Sequence, residues 1–224
     1  MRTKEILTPE QVRPLYDLEI VPAYQAAFGK DSIWGEETKC ADPRRRCVSG
    51  FSPLVVGEQC TICSQCVTTP AYSSAELTER FETLAASRPT AWYVERNEAA
   101  RVTLAAVAWI ADANTIAAEK YGSDVKMGGW LKAVLPDNVV WLDEVFANRT
   151  LQPWGNLRNF GGLVVGLAQQ LGGETVAYRT IEPRMTAVAG RDFAARAAVY
   201  TRNAQVPDRR DFVIIDLQNQ KELA

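Results

Sequence analysis

Apolar positions recur at helical spacing behind Thr8-Pro9-Glu10-Gln11: Val12, Leu15, Tyr16, Val21, Tyr24 and Phe28. A threonine N-cap, a proline at the first helical position and a glutamine able to reach back predict a helix start there. Pro14 and Pro22 each lack an N–H, so the helix is expected to kink or split. Ser73 with Glu76 repeats the capping pattern and opens a helix with Leu77, Phe81 and Leu84 on one face. From residue 91 the period changes. "AWYVER" and "RVTLAAVAWI" read as strands joined at Asn97-Glu98. Segment 111–137 carries a helix around 113–121 and a loop, "KMGGW". "NVVWLDEVFAN" (138–148) is apolar on both faces, as a central strand is. A polar loop over 149–159, a helix over about 160–171, a Gly172-Gly173 stop and the strand "ETVAYRT" follow. Pro183 starts a short helix ending near Gly190, before strands at about 194–201 and 211–217.

The chain has 224 residues, enough for one large domain with an insertion. The pattern divides it into an N-terminal helical segment (1–39), a Cys-rich insertion (40–70) and a core (71–224). A hydrophobic fraction of 47% supports a substantial core. The net charge of −2 gives no global attraction to nucleic acid or to an anionic membrane. The longest apolar run, Leu104 to Ala111, is far short of the roughly 20 residues of a spanning helix. "MRTKEILTPEQ" has no apolar signal-peptide region, so a cytoplasmic location is expected. The chain has no histidine. That excludes Ser-His-Asp and Cys-His catalysis and His-ligated metal hydrolysis, and leaves Asp, Glu, Tyr, Lys, Cys or water for proton transfer.

All five cysteines, Cys40, Cys47, Cys60, Cys63 and Cys66, lie in one stretch around "CTICSQC". In a cytoplasmic chain such clustering favours metal over disulfides. Four thiolates suit a structural zinc ion that would order a loop too polar to fold alone. The C-x-x-C-x-x-C run is also similar to the first three ligands of a ferredoxin-type iron–sulfur cluster, with Cys47 or Cys40 as the fourth. Unliganded thiols are the third reading. Arg44, Arg45 and Arg46 could touch a phosphate backbone, although three adjacent arginines also suit a solvated loop.

Over residues 90–217 the order strand, basic glycine loop, helix, strand, helix, strand, strand resembles the core of the GNAT superfamily of N-acetyltransferases. The resemblance implies an α+β fold: a mixed, mostly antiparallel central sheet flanked by helices, here with a Cys-rich metal-binding insertion. In that family an R/Q-x-x-G-x-G/A loop holds the pyrophosphate of acetyl-coenzyme A at a helix N-terminus. "RNFGGL" supplies Arg158, Asn159, Phe160, Gly161, Gly162 and Leu163, departing from the pattern at Leu163. An earlier frame, "QPWGNL", has no helix directly after it. Free helix N–H groups, glycines and the nearby Arg149 and Arg158 make an anion site on physical grounds as well. Glycines that only let a helix pack on a sheet are the competing reading. The resemblance also implies that the strand backbone near Phe146, Ala147 and Asn148 binds the pantetheine arm.

Acyl transfer to an amine needs a base, and "WLDEVFAN" offers two carboxylates. Strict alternation puts Asp143 and Glu144 on opposite faces, Glu144 with Val140, Leu142 and Phe146. That apolar border suits a base, so Glu144 is the first candidate and Asp143 the second, with a plain ion pair to an arginine as the competing role. The tyrosine that the resemblance implies as general acid aligns with Val188, leaving Tyr178, Tyr200 or water. Trp92, Trp109 and Trp130 could line an acceptor pocket or belong to the core. The acceptor would be an amine on a small molecule or a macromolecule, and the open sheet edges suit a homodimer. The alternatives are a metal-stapled binding module, with nucleic acid as a candidate ligand, on a catalytically inactive fold of this kind, and an iron–sulfur redox or radical enzyme.

Overall fold

The computed structural model describes residues 3–28, 37–40, 50–51, 57, 59, 67–70, 72–121, 125–147, 159–180, 183–199 and 211–218. The elements run β1 (Thr3–Leu7), α1 (Pro9–Val12), α2 (Val21–Phe28), β2 (Glu37–Cys40), β3 (Gly50–Phe51), β4 (Thr68–Pro70), α3 (Ser74–Ser87), β5 (Thr90–Arg96), β6 (Val102–Ala111), α4 (Ala113–Tyr121), α5 (Val125–Val134), β7 (Val139–Ala147), α6 (Phe160–Leu171), β8 (Thr175–Thr180), α7 (Pro183–Phe193), β9 (Arg196–Val199) and β10 (Asp211–Asp216). The main sheet has the order β1-β5-β6-β7-β8-β10-β9, and β3-β2-β4 form a separate small sheet. Every neighbouring pair of the main sheet is antiparallel except β7 with β8.

Local chemistry accounts for the helix starts. The Gln11 carboxamide accepts the Thr8 N–H at 2.9 Å, and Ser73 and Glu76 exchange side-chain-to-backbone bonds of 3.2 and 2.7 Å. The stretch carrying the two prolines is split as expected: a 3-10 turn over Arg13–Leu15, a π turn over Tyr16–Ile20, then α2. Gly172, in the left-handed region at φ 69°, ends α6 with its N–H on the carbonyls of Ala168 and Gln169.

Three expectations change. The "KMGGW" loop is part of α5, because Leu131 within it and Leu135 just past its end are buried and their packing outweighs the two glycines. The helix from Pro183 continues to Phe193, since Ala189 and Phe193 enter the core. The sheet also begins at residue 3: β1 pairs with β5 from Thr3↔Arg96 to Leu7↔Trp92. Its exposed "TKE" leaves too little alternation to read as a strand, and the pairing is long-range.

Each sheet face carries its own core. On one, Phe160, Leu163, Val164 and Leu167 of α6 and Ala189 and Phe193 of α7 pack on Tyr93, Ala106, Val140, Leu142 and Tyr178. On the other, Tyr16, Tyr24, Leu77 and Phe81 pack on Trp92, Val107 and Phe146, and α4 and α5 cover Trp109, Trp141 and Phe212. Trp92 and Trp109 are fully buried and Trp130 packs edge-on to Phe212 at 5.0 Å. Trp92 and Trp109 therefore serve the core, and Trp130 packs against it partly buried.

Candidate functional site

The site begins with an irregularity in β7. Val107 of β6 faces Glu144, but the next residue, Ala108, faces Leu142, so Asp143 is the extra residue of a β-bulge. The bulge reverses the alternation. Val140 and Leu142 face α6, whereas Val145 and Ala147 do so after it. Phe146 turns to the α2–α3 side. Glu144 thus leaves the apolar border expected for it and joins Asp143 on the side of α3.

Both carboxylates meet Arg80 of α3: its Nη2 lies 2.6 Å from Glu144 Oε1 and 3.5 Å from Asp143 Oδ2. Arg80 stands over the Tyr72 ring, 5.2 Å from its centroid. The Asp143 side chain is only 5% exposed, also pairs with Lys120 Nζ and accepts the Trp141 indole N–H at 3.0 Å. Burial alone would raise its pKa, but Lys120 and Arg80 outweigh burial and hold it below the usual carboxylate value. Asp143 is therefore a fixed anion. Burial likewise opposes the charge of Arg80, yet Glu144 and then Asp143 more than offset it and raise its pKa. Glu144, 21% exposed, is the more open carboxylate.

The second component is a gap in the sheet. β7 and β8 pair only at Val140↔Val176 and Trp141↔Ala177, although β7 runs on to Ala147 and β8 to Thr180. Past Trp141 the edge of β7 facing β8 has no ladder partner among the described residues, while its other edge stays paired with β6 up to Leu104↔Ala147. The bulge falls just where the ladder stops, and bulges sharpen local twist and bend a strand. Phe146 and Ala147 lie along this unpaired stretch. Asn148, Arg149 and Arg158 lie outside the described residues.

The third component is the start of α6. Asn159 stands at its N-cap but makes no side-chain cap. Its amide is engaged elsewhere: Nδ2 donates to Glu95 Oε2 at 3.1 Å, and Oδ1 accepts from Lys4 Nζ at 2.6 Å. The first-turn N–H groups of α6 therefore receive no cap from Asn159. Gly161 has a packing reason, since a Cβ there would lie 3.4 Å from the Phe193 ring; at Gly162 a Cβ would meet nothing within 4 Å. A side chain at the first glycine would meet the Phe193 ring, whereas at the second the described residues leave room for a group to approach the backbone. Leu163, the departure from the family loop, is fully buried against the sheet, so its bulk points away from the helix start. These features fit an anionic phosphate held by backbone N–H groups.

Tyr178 is buried and donates to the Met185 carbonyl at 3.2 Å, and Val188 packs against the same core. Tyr200 lies outside the described residues, as do Cys47, Cys60, Cys63 and Cys66, while Cys40 ends β2. Arg80, Lys120 and Tyr72 escaped the sequence reading. Arg80 is one charge on a polar helix face, and only the bulge some sixty positions later gives it a role.

No protein-family model and no curated protein matches the chain. Solved structures do. FeeM, an N-acyl amino acid synthase from uncultured soil microbes, superposes with a TM-score of 0.52 at 9% identity, over 99% of this chain and 94% of that one. The yncA protein of Salmonella typhimurium, solved with its cofactor acetyl-CoA, gives 0.46 at 10% identity over 96% and 94%. The polyamine N-acetyltransferase of Drosophila melanogaster gives 0.43 at 14% over 95% and 100%. The chain shares with FeeM a mixed, mostly antiparallel α+β fold, of the kind that its element order and the resemblance drawn from it implied. No helix among the described residues is long and apolar enough to cross a membrane.

Proposed function

We propose that this chain is an N-acyltransferase that takes an acyl group from a coenzyme A thioester, acetyl-CoA in the simplest case, to an amine. The observation that carries the reading is the parting of β7 from β8 beside a helix start that its own N-cap residue, Asn159, leaves uncapped. The unpaired edge of β7 from Leu142 to Ala147 offers backbone groups to an extended pantetheine amide chain. The first turn of α6, open at Gly162, receives the pyrophosphate, with Arg158 and Arg149 as countercharges. Acyl transfer to nitrogen, the reaction class in FeeM's name, suits this arrangement.

Glu144 is the base. The ammonium of the acceptor gives its proton to Glu144, and the nitrogen lone pair attacks the thioester carbonyl. The C–N bond forms and the C–S bond breaks; the second proton of the attacking nitrogen passes through water to the leaving thiolate, since Tyr178 is buried in the core. Asp143 holds Arg80 and Lys120 in place.

Titration calorimetry of acetyl-CoA into the wild type and Arg158→Glu tests the donor site. Micromolar binding that the variant loses supports it, and no binding to the wild type overturns it. With an acceptor in hand, Glu144→Gln lowers kcat by about 10²–10⁴ and leaves acetyl-CoA affinity unchanged. The cysteine segment is read as a structural zinc site on its C-x-x-C-x-x-C spacing. Metal analysis of anaerobically purified protein tests this: near-stoichiometric zinc supports it, iron with sulfide replaces it.

A further inference from the structure

Taking the acyltransferase reading as its basis, we infer that the acceptor is an amino-acid-type amine, with a carboxylate beside its reacting nitrogen, and that Arg80 receives that carboxylate. The first ground is charge. At the bulge Asp143 and Glu144 are matched by Arg80 and Lys120, so among the described residues this cluster carries no surplus negative charge. A polyamine needs such a surplus. To reach Glu144 it would have to take from Arg80, half-buried over Tyr72, its nearer counter-ion and leave it only Asp143, at 3.5 Å and shared with Lys120. An uncharged-tail amine would gain nothing from Arg80.

The second ground is the unequal commitment of the four groups. Asp143 is 5% exposed and bound by Lys120, Trp141 and Arg80, whereas Arg80 and Glu144 are 26% and 21% exposed. A single Arg80 nitrogen, Nη2, contacts both carboxylates. Among the described residues Nε and Nη1 have no hydrogen bond, so part of the guanidinium fork is unspent, and the fork matches a carboxylate. The Tyr72 ring fixes the guanidinium from one side.

The third ground is spacing. Arg80 Nη2 and Glu144 Oε1 are 2.6 Å apart, a cation and an anion side by side. An ammonium and a carboxylate on one carbon are the complementary pair. Binding exchanges partners: the acceptor carboxylate takes Arg80, and the ammonium takes Glu144. The ion pairs are conserved while Glu144 is released from Arg80 and placed to accept the ammonium proton. An amine without the carboxylate gives Glu144 no such release.

The test compares amines that differ only by the carboxylate, tyrosine with tyramine, arginine with agmatine and leucine with isoamylamine, each titrated into protein saturated with coenzyme A. The wild type should bind at least one acid about tenfold or more tightly than its decarboxylated partner, the worth of one charge-assisted pair. Arg80→Met should remove that preference by weakening the acid alone, and Arg80→Lys should keep part of it. Thermal melts confirm that both variants fold. Equal binding within all three pairs, tighter binding of the decarboxylated amines, or equal weakening of both partners in Arg80→Met overturns the inference and leaves the donor site standing. Failure of coenzyme A itself to bind overturns both.

Discussion

Asn159 gives its amide to Glu95 rather than to the helix it precedes. The 3.1 Å bond from Nδ2 to the fully buried Glu95 carboxylate, with Lys4 on the amide oxygen, turns away the side chain that would otherwise cap α6. At α3 the opposite happens, and Ser73 caps the Glu76 N–H at 3.2 Å. Asn159→Ala therefore takes no cap from α6 but costs Glu95 a donor, and should destabilise by about 1–3 kcal/mol. Ser73→Ala should cost about 1 kcal/mol through its lost cap. Urea denaturation of the two variants checks both. A cost near zero at Asn159 would mean that its bond to Glu95 holds nothing.

Two glycines separate packing from ligand binding. A Cβ on Gly173 would sit 2.4 Å from Val140 Cγ2, so Gly173→Ala should destabilise by about 1–3 kcal/mol through overpacking. A Cβ on Gly162 would meet nothing within 4 Å inside a helix, where alanine is favoured by up to about 1 kcal/mol. Gly162→Ala should melt no lower than the wild type, yet weaken acetyl-CoA binding about tenfold or more, which is about 1.4 kcal/mol. Unchanged affinity would remove the phosphate from the α6 N-terminus.

The ion pairs of Asp143 make stability depend on acid. Its folded pKa lies below its unfolded one, so the pairs stabilise fully above about pH 4 and are lost as pH falls through the folded value. Lys120→Met should cost about 1.5–3 kcal/mol at neutral pH. Its gap to the wild type should narrow as pH falls through the folded pKa of Asp143, where that carboxylate becomes protonated. A gap that stays constant with pH would show that Lys120 acts only by packing.

Tyr16 reports from the alkaline side. Burial among Phe81 and Trp92 pushes its pKa up to about 12. The folded state resists ionisation, so this stabilisation is complete below about pH 10 and is lost as pH rises toward the folded value. Tyr16→Phe should flatten the fall of melting temperature above about pH 10. An unchanged slope would assign that fall to Tyr93 and Tyr178, whose pKa values are also raised, by burial first.

Short-range chemistry decided much of this protein. Thr8, Ser73 and Gly172 mark helix ends because a cap or a left-handed turn is made by neighbours in sequence, and the run Phe160–Leu171 is a helix by its own period. The order of elements was enough to imply the sheet, since strand hydrophobicity and turn residues are local properties. Tertiary structure decided the rest. β1 exists because β5 offers it an edge, and α5 forms across two glycines because Leu131 has a core to enter. One extra residue in β7 reverses every side chain beyond it, an outcome of register with β6 that alternation along β7 cannot foresee. That reversal takes Glu144 off the apolar face and gives it to Arg80, so the pairing that defines the candidate site is made between residues far apart in the chain.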